Sequence, residues 1–219
     1  MAHRKLPHPI SKEDFEKLIE VVKKDLEKEW KPRKKEYSNK GYRLKQYLIA
    51  MCFGFGAGMR ISEIFGLEKE QIYTYKKQNT DTEVTKTIYT KIPPLTYDRI
   101  ENNFIRIIAG KGMKDGVVPL PAKVFRKAGI TREDLKRNLP LRVSYRSTQN
   151  YVTKLGKRVL KKHITFHMLR HGFVTTLLNS GMPIHQVQAW ARHSRMDTTG
   201  LYSHATISEE SAQKVEEAF

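Results

Sequence analysis

Hydrophobic residues recur at helical spacing in the first quarter of the chain. The first repeat covers residues 15–26, follows Ser11, whose side chain can cap a helix, and is ended by Pro32. A second repeat covers residues 42–55 and contains few polar positions. A segment that is apolar on most sides is typical of a helix inside the core. Two helices, the second one buried, are therefore predicted.

The middle of the chain has the composition of short strands. Segments 71–75, 83–90 and 103–108 are rich in β-branched or aromatic residues, and Val117-Val118 follows a glycine-rich stretch that can turn the chain back. We predict one small antiparallel sheet within residues 71–118.

The pattern becomes helical again after residue 121. A helix is predicted over 166–179, with Gly181 as its stop, and another follows Pro183. Residues 208–219 form a last, acidic amphipathic piece that either stays solvated or docks on a neighbouring copy of the chain. The whole pattern predicts an α+β fold that is mainly helical.

A polar and basic stretch over residues 31–40 separates the first helix from the rest. The simplest interpretation of such a run is a solvated connector, and the alternative is a segment that lies along DNA. We expect an N-terminal helix with a basic connector over 1–40, and one larger domain over 41–219.

Charge narrows the class of partner. Lysine and arginine number 41 against 23 acidic residues, which gives 219 residues a formal net charge of +18. An excess of this size indicates a polyanion, although a merely soluble or thermostable basic protein is the plainer alternative. Nucleic acid is favoured over membrane, because no apolar run approaches the roughly 20 residues of a spanning helix and no N-terminal segment resembles a signal peptide.

The chain has a single cysteine, Cys52, among apolar neighbours. An internal disulfide is impossible, and the residue is expected in the core. Cysteine usage of this kind suits a reducing compartment, so we expect a cytoplasmic or nucleoid-associated protein.

Six side chains in short motifs are candidates for chemistry on a phosphodiester. They are Arg60, Lys111, His167, Arg170, His193 and Tyr202. Guanidinium groups bind phosphate oxygens in bidentate fashion and stay charged. A lysine or histidine can protonate a leaving oxygen. A tyrosine can form a covalent phosphotyrosine that conserves the bond for rejoining. Together they predict cleavage of a nucleic-acid strand without a metal.

His167 and His171 invite a different interpretation. They are four residues apart, on one face of a predicted helix, which is the spacing of a zinc pair. The glutamate of a His-Glu-x-x-His site is missing, and Arg170 would repel a cation. We therefore expect no metal, and expect His171 to pack beside the site.

The motifs around these residues resemble those of the tyrosine recombinases, the phage- and virus-type integrases, in their catalytic domain. The segment GMRISE at 58–63 resembles the turn that carries the family's first arginine, and GKGMK at 110–114 resembles its lysine hairpin. The resemblance extends over about residues 42–219, and the motifs follow the family's order.

The C-terminal motifs resemble the same family. His167 and Arg170 form its His-x-x-Arg box, with His171 in the usual next position. His193 precedes Tyr202 by nine residues, which is the family's usual spacing. The resemblance implies the recombinase catalytic-domain fold, with the lysine hairpin in the small sheet.

The resemblance also implies a role for each candidate. Arg60 and Arg170 would bind the scissile phosphate, His193 would donate a hydrogen bond to it, and Glu63 and His171 would support them. No metal and no cofactor are implied.

The remaining candidates would carry out the nucleophilic attack and the proton transfers. The resemblance implies that Tyr202 attacks phosphorus to give a 3′-phosphotyrosine, that Lys111 protonates the leaving 5′-oxygen, and that His167 assists proton transfer at the tyrosine.

Three features depart from the family pattern. Ala191-Arg192 stands before His193, where the family often has leucine and glycine. Residues 76–100 have the character of an insertion. The separate N-terminal domain that clamps DNA in most members is expected to be absent or minimal.

The expected function is site-specific recombination or integration, including viral genome integration, on double-stranded DNA, by a homo-oligomer that forms a tetrameric synapse. A type IB topoisomerase uses the same constellation for DNA relaxation, and a catalytically silent DNA-binding protein could keep the fold. A metal-dependent nuclease is a fourth, weaker alternative, which full cleavage activity in the presence of a chelator would exclude.

Overall fold

The fold is taken from a computed structural model, which describes residues 9–31, 36–76, 83–108, 115–192 and 209–219. Lys111, His193 and Tyr202 lie outside these residues. Within the described part of the chain, no helix is both long enough and apolar enough to cross a bilayer.

Helices form most of the described chain. They are α1 Lys12–Lys28, α2 Asn39–Gly56, α3 Ile61–Phe65, α4 Ala122–Lys127, α5 Arg132–Asn138, α6 Tyr145–Val159, α7 Phe166–Asn179, α8 Ile184–Ala191 and α9 Glu209–Ala218. Ser11 caps α1 by accepting a hydrogen bond from the Asp14 amide at 3.1 Å. The prediction of a mainly helical α+β fold is confirmed.

Among the described residues, the strands form three small antiparallel sheets. They are β1 Trp30–Lys31 with β2 Glu36–Tyr37, β3 Leu67–Lys76 with β4 Glu83–Ile92, and the group of β5 Ile100–Glu101, β6 Phe104–Ile107 and β7 Gly116–Pro119. The single sheet predicted over 71–118 was therefore wrong. Pro93, Pro94 and a 3₁₀ turn at Tyr97–Arg99 separate β4 from β5, because proline ends a ladder by removing a donor.

The β3–β4 hairpin overlaps the segment 76–100 that was predicted as an insertion, and it begins before that segment, at Leu67. Its register runs from the pair Leu67 and Ile92 to the pair Lys76 and Glu83. Ile72 is 65% exposed and Tyr89 is 71% exposed. The hairpin is therefore stabilised mainly by the backbone hydrogen bonds between β3 and β4.

Helix α2 is the centre of the core. Its residues from Leu48 to Gly56 are all buried, and α1, α4, α6 and α7 pack around it. The buried helix predicted over 42–55 is thus confirmed, with Ser38 capping its first turn through the Gly41 amide.

Helix α9 packs on its own chain. Phe219 is buried, and its ring centroid lies 5.4 Å from that of Phe55 and 6.0 Å from that of Phe173. Glu216 Oε1 accepts the Lys123 amide at 2.9 Å. Of the two arrangements left open for the acidic C-terminal piece, the solvated end is wrong, because the helix packs on the core of its own molecule; docking on a neighbouring copy stays a prediction.

Candidate active site

A tight turn after α2 carries the first candidate arginine. Gly58 has φ +61°, and a Cβ there would lie 2.5 Å from Cδ1 of Phe173. Only glycine fits both the left-handed backbone and this close approach to α7. Met59 is fully buried behind the turn, so Arg60 is fixed as the residue immediately before α3.

Arg60 is held by one carboxylate and one carbonyl. Its Nη1 donates to Glu63 Oε1 at 2.8 Å, and its backbone amide donates to Glu63 Oε2 at 2.8 Å. Its Nη2 donates to the carbonyl oxygen of Arg192 at 2.8 Å. The Glu63 side chain has no exposed surface, whereas the Arg60 side chain is 17% exposed. The Glu63 carboxylate thus holds the Arg60 guanidinium from the buried side, while part of the arginine side chain remains exposed.

Arg170 is buried in α7, with 2% of its surface exposed. Its Nη1 donates to the carbonyl oxygen of Gly58, and its Nη2 donates to that of Ala191. Burial, and next the charge of Arg60, lower the pKa of Arg170 to about 9. A bound anion would raise this pKa again, because opposite charge favours the protonated form.

Arg192 completes the cluster from the end of α8. Its backbone is left-handed, with φ 50° and ψ 51°, a conformation that favours glycine. Its Nη2 lies within ion-pair distance of Glu63 Oε1, although neither Nη2 nor the buried Nε makes a hydrogen bond among the described residues. Burial lowers the pKa of Arg192, and Glu63 opposes that shift.

The side chain of Arg192 passes over the first residue of β7. A Cβ on Gly116 would lie 2.8 Å from Arg192 Cδ. The absence of a side chain at Gly116 is therefore what leaves room for the guanidinium to reach Glu63. The cluster links α3, α7, the end of α8 and the start of β7.

Three guanidiniums and one carboxylate thus meet at one place. Counted formally, Arg60, Arg170 and Arg192 against Glu63 leave two positive charges. Guanidiniums of this kind bind phosphate oxygens and stabilise charge that develops on them. The arrangement is chemically suited to a phosphate.

The two histidines of α7 lie beside this cluster. The rings of His167 and His171 meet edge to face, with centroids 4.6 Å apart, and His167 is exposed while His171 is half-buried. Burial, and next Arg170, lower the pKa of His171. Within the described residues, no group of three or more His, Cys, Asp or Glu side chains could hold a metal ion.

The structure thus brings together four of the sequence-predicted residues, Arg60, Glu63, Arg170 and His171, with His167 at the edge. Lys111, His193 and Tyr202 fall outside the described residues, so their predicted roles stay predictions. Sequence reasoning did not count Arg192 among the functional residues. The sequence signal for Arg192 is that it stands where the family often has glycine.

A family model, described as the phage integrase family, matches residues 10–209. The chain belongs to this family. Among curated relatives of this integrase-family chain, the tyrosine recombinase XerA of Thermococcus onnurineus strain NA1 is 27% identical over 216 residues, with 93% of this chain and 60% of the relative covered. The tyrosine recombinase XerC of Chlorobaculum parvum strain DSM 263 is 28% identical over 174 residues, with 70% and 44% covered.

Solved structures of integrase-family proteins share the fold. The integrase from mycobacterium phage Brujita has a TM-score of 0.59 at 18% identity, with 100% of this chain and 60% of that chain covered. The XerH site-specific recombinase bound to palindromic difH substrate, a post-cleavage complex, has a TM-score of 0.51 at 21% identity, with 99% and 53% covered. The chain therefore spans roughly three fifths or less of these relatives.

Proposed function

We propose that this chain is the catalytic domain of a site-specific DNA recombinase or integrase. The observation that carries the proposal is that Arg60, paired with Glu63, and the buried Arg170, bound to the Gly58 carbonyl, meet at the turn between α2 and α3, in a chain of the phage integrase family. Two guanidiniums at one place match the two non-bridging oxygens of a phosphodiester. XerH, which shares the fold, is described as bound to its DNA substrate.

Strand cleavage would proceed by transfer of the phosphodiester to a tyrosine. The Tyr202 oxygen gives up its proton and bonds to phosphorus, while the bond from phosphorus to the 5′-oxygen breaks. Lys111 supplies the proton that leaves a free 5′-hydroxyl, and His167 assists proton transfer at the tyrosine. The product is a 3′-phosphotyrosine, which preserves the bond for rejoining.

Arg60, Arg170 and His193 would stabilise the phosphate while its charge increases. Arg60 keeps 17% of its side chain exposed, so it can contact a phosphate at the surface. Arg170 is fixed by two carbonyl oxygens, and a preorganised cation needs no rearrangement when charge develops. Rejoining follows when the 5′-hydroxyl of a partner strand attacks the phosphotyrosine.

The organisation of the protein is part of the same proposal. The proposed division is an N-terminal helix and basic connector over 1–40 and a catalytic domain over 41–219, with the boundary inside the first turn of α2, which begins at Asn39. A homo-oligomer, expected as a tetrameric synapse, would bring two double-stranded sites together. Integration of a viral genome is one form that such strand exchange takes.

The decisive variant is Tyr202→Phe. The cognate site is first selected from a random DNA pool by binding and then made as a nicked duplex, so that the cut product cannot religate. We expect the unchanged protein to form a covalent adduct through the 3′-phosphate, with or without a chelator. Tyr202→Phe should bind the same DNA and form no adduct, because phenylalanine has no oxygen nucleophile.

The matched control is Tyr89→Phe, on the exposed hairpin, which should form the adduct normally. An adduct with Tyr202→Phe would show that another residue is the nucleophile. Exchange between two cognate sites on a plasmid would separate recombination from relaxation by a topoisomerase, and DNA binding without any adduct would favour a silent DNA-binding protein.

A further inference from the structure

Glu63 creates an electrostatic problem at the proposed phosphate site. Its buried carboxylate accepts two hydrogen bonds from Arg60, one from the guanidinium and one from the amide. The same negative charge that orients Arg60 also offsets the attraction of Arg60 for a phosphate. With Arg60, Arg170 and Glu63 alone, the formal charge of the site would be +1.

Arg192 changes that balance. Its guanidinium contacts the same carboxylate oxygen as Arg60, and its side chain is 14% exposed. With it the formal charge of the cluster is +2. A phosphodiester carries one negative charge, and more develops on its oxygens during attack, so an added positive charge nearby favours the transition state over the ground state.

One local feature disfavours an arginine at position 192 and another makes room for it. The left-handed backbone at 192 favours glycine, and the family often has glycine before the second histidine. Gly116 leaves the room that Arg192 Cδ occupies. An arginine in an unfavourable backbone conformation, over a residue without a side chain, indicates that the guanidinium contributes something glycine cannot.

We propose that Arg192 is a positioning residue of the phosphate site: its guanidinium neutralises Glu63, so that Arg60 and Arg170 present their full charge to the scissile phosphate. The inference rests on the proposed function. It adds to the arginines implied by the family resemblance a third one, which acts through Glu63 and does not itself touch the reacting atoms.

The test compares two substrates that differ in phosphate charge. Adduct formation is timed on the nicked cognate duplex with a normal scissile phosphodiester, and on the same duplex with a methylphosphonate there, in which a methyl group replaces one charged oxygen. We expect Arg192→Gly to lower the rate of adduct formation on the normal substrate by about ten- to hundredfold. This is less than the loss from removing a group that donates directly to the phosphate. Adduct formation on the methylphosphonate duplex should be slowed far less, because its scissile group carries less negative charge to stabilise.

Two further variants separate charge from shape. Arg192→Lys keeps a positive charge and should restore part of the rate. Gly116→Ala keeps the arginine but places a methyl group against its Cδ, so it should slow the normal substrate without adding to the effect of Arg192→Gly in the double variant. Arg137→Gln, which removes an exposed arginine on α5, is the charge-matched control and should cleave normally.

Each outcome has one interpretation. An Arg192→Gly variant as fast as the unchanged protein would overturn the inference and leave the proposed function standing. An equal slowing on both substrates would also overturn it, because a purely structural role does not depend on phosphate charge. No adduct from the unchanged protein on its selected site would overturn the proposed function, and the inference with it.

Discussion

At the scale of single residues, Glu63 is the side chain on which the site depends most. It lies three positions after Arg60 in the segment GMRISE, and the resemblance of this segment to the family's turn predicted it as a supporting residue. Its contact with Arg192 was beyond sequence reasoning, because the end of α8 and the start of α3 meet only in the folded chain. The unusual Arg192 was visible in the sequence, but the carboxylate it faces was not.

Replacing Glu63 by glutamine should therefore destabilise the protein. The change leaves Arg60 and Arg192 without their buried counter-charge, and breaking a buried pair costs about 3 kcal/mol. The free energy of unfolding in urea measures the effect. Glu133→Gln, in an exposed pair with Arg137, should cost no more than about 1 kcal/mol. An equal loss in both variants would show that the Glu63 cluster contributes nothing special to stability.

At the scale of secondary structure, helices were predicted better than strands. The helix over 166–179 was predicted because its hydrophobic repeat, its starting position and its stop all agree, and α7 has those bounds. Strand segments were also located, but their partners were not. The alternation of polar and apolar residues along one strand does not identify the strand with which it pairs. The hairpin β3–β4 and the sheet β5–β6–β7 therefore appeared as one.

Helix α9 illustrates the same limit, because its amphipathic pattern does not say which molecule it covers. We expect Phe219→Ala to loosen it, since this ring packs on Phe55 and Phe173. Truncating a buried phenylalanine costs about 3 kcal/mol. Hydrogen exchange of the α9 amides should accelerate. Tyr89→Ala, on an exposed side chain, should leave exchange in α9 unchanged, and unchanged exchange in Phe219→Ala would contradict this packing.

At the scale of the whole molecule, the excess of positive charge predicts a polyanionic partner. Acidic residues of α1 are partly engaged within the chain, as in the ion pairs of Asp25 with Arg158 at 2.6 Å and of Asp14 with Lys162 at 2.8 Å. Each such pair joins one positive and one negative group, so the net charge of +18 is left for a partner. Composition alone predicted a polyanion, and the motifs were needed to predict DNA chemistry.

Binding to DNA should accordingly weaken steeply with salt. A protein that contacts six or more phosphates loses roughly a thousandfold in affinity between about 50 and about 200 mM salt, because bound counterions are released. Fluorescence anisotropy with a labelled duplex measures the slope. Tyr202→Phe should give the same slope, since a neutral phenol releases no counterion. A flat response would contradict a phosphate-dominated interface.

Cys52 has a practical consequence for studying this chain. It is the only cysteine and is fully buried in α2, and burial raises the pKa of its thiol, so the folded protein presents no reactive thiolate there. A thiol reagent can therefore label the chain only when the core opens. The rate of labelling then reports how often the core opens, without an engineered cysteine, and it can follow how DNA or a variant changes the lifetime of the native state.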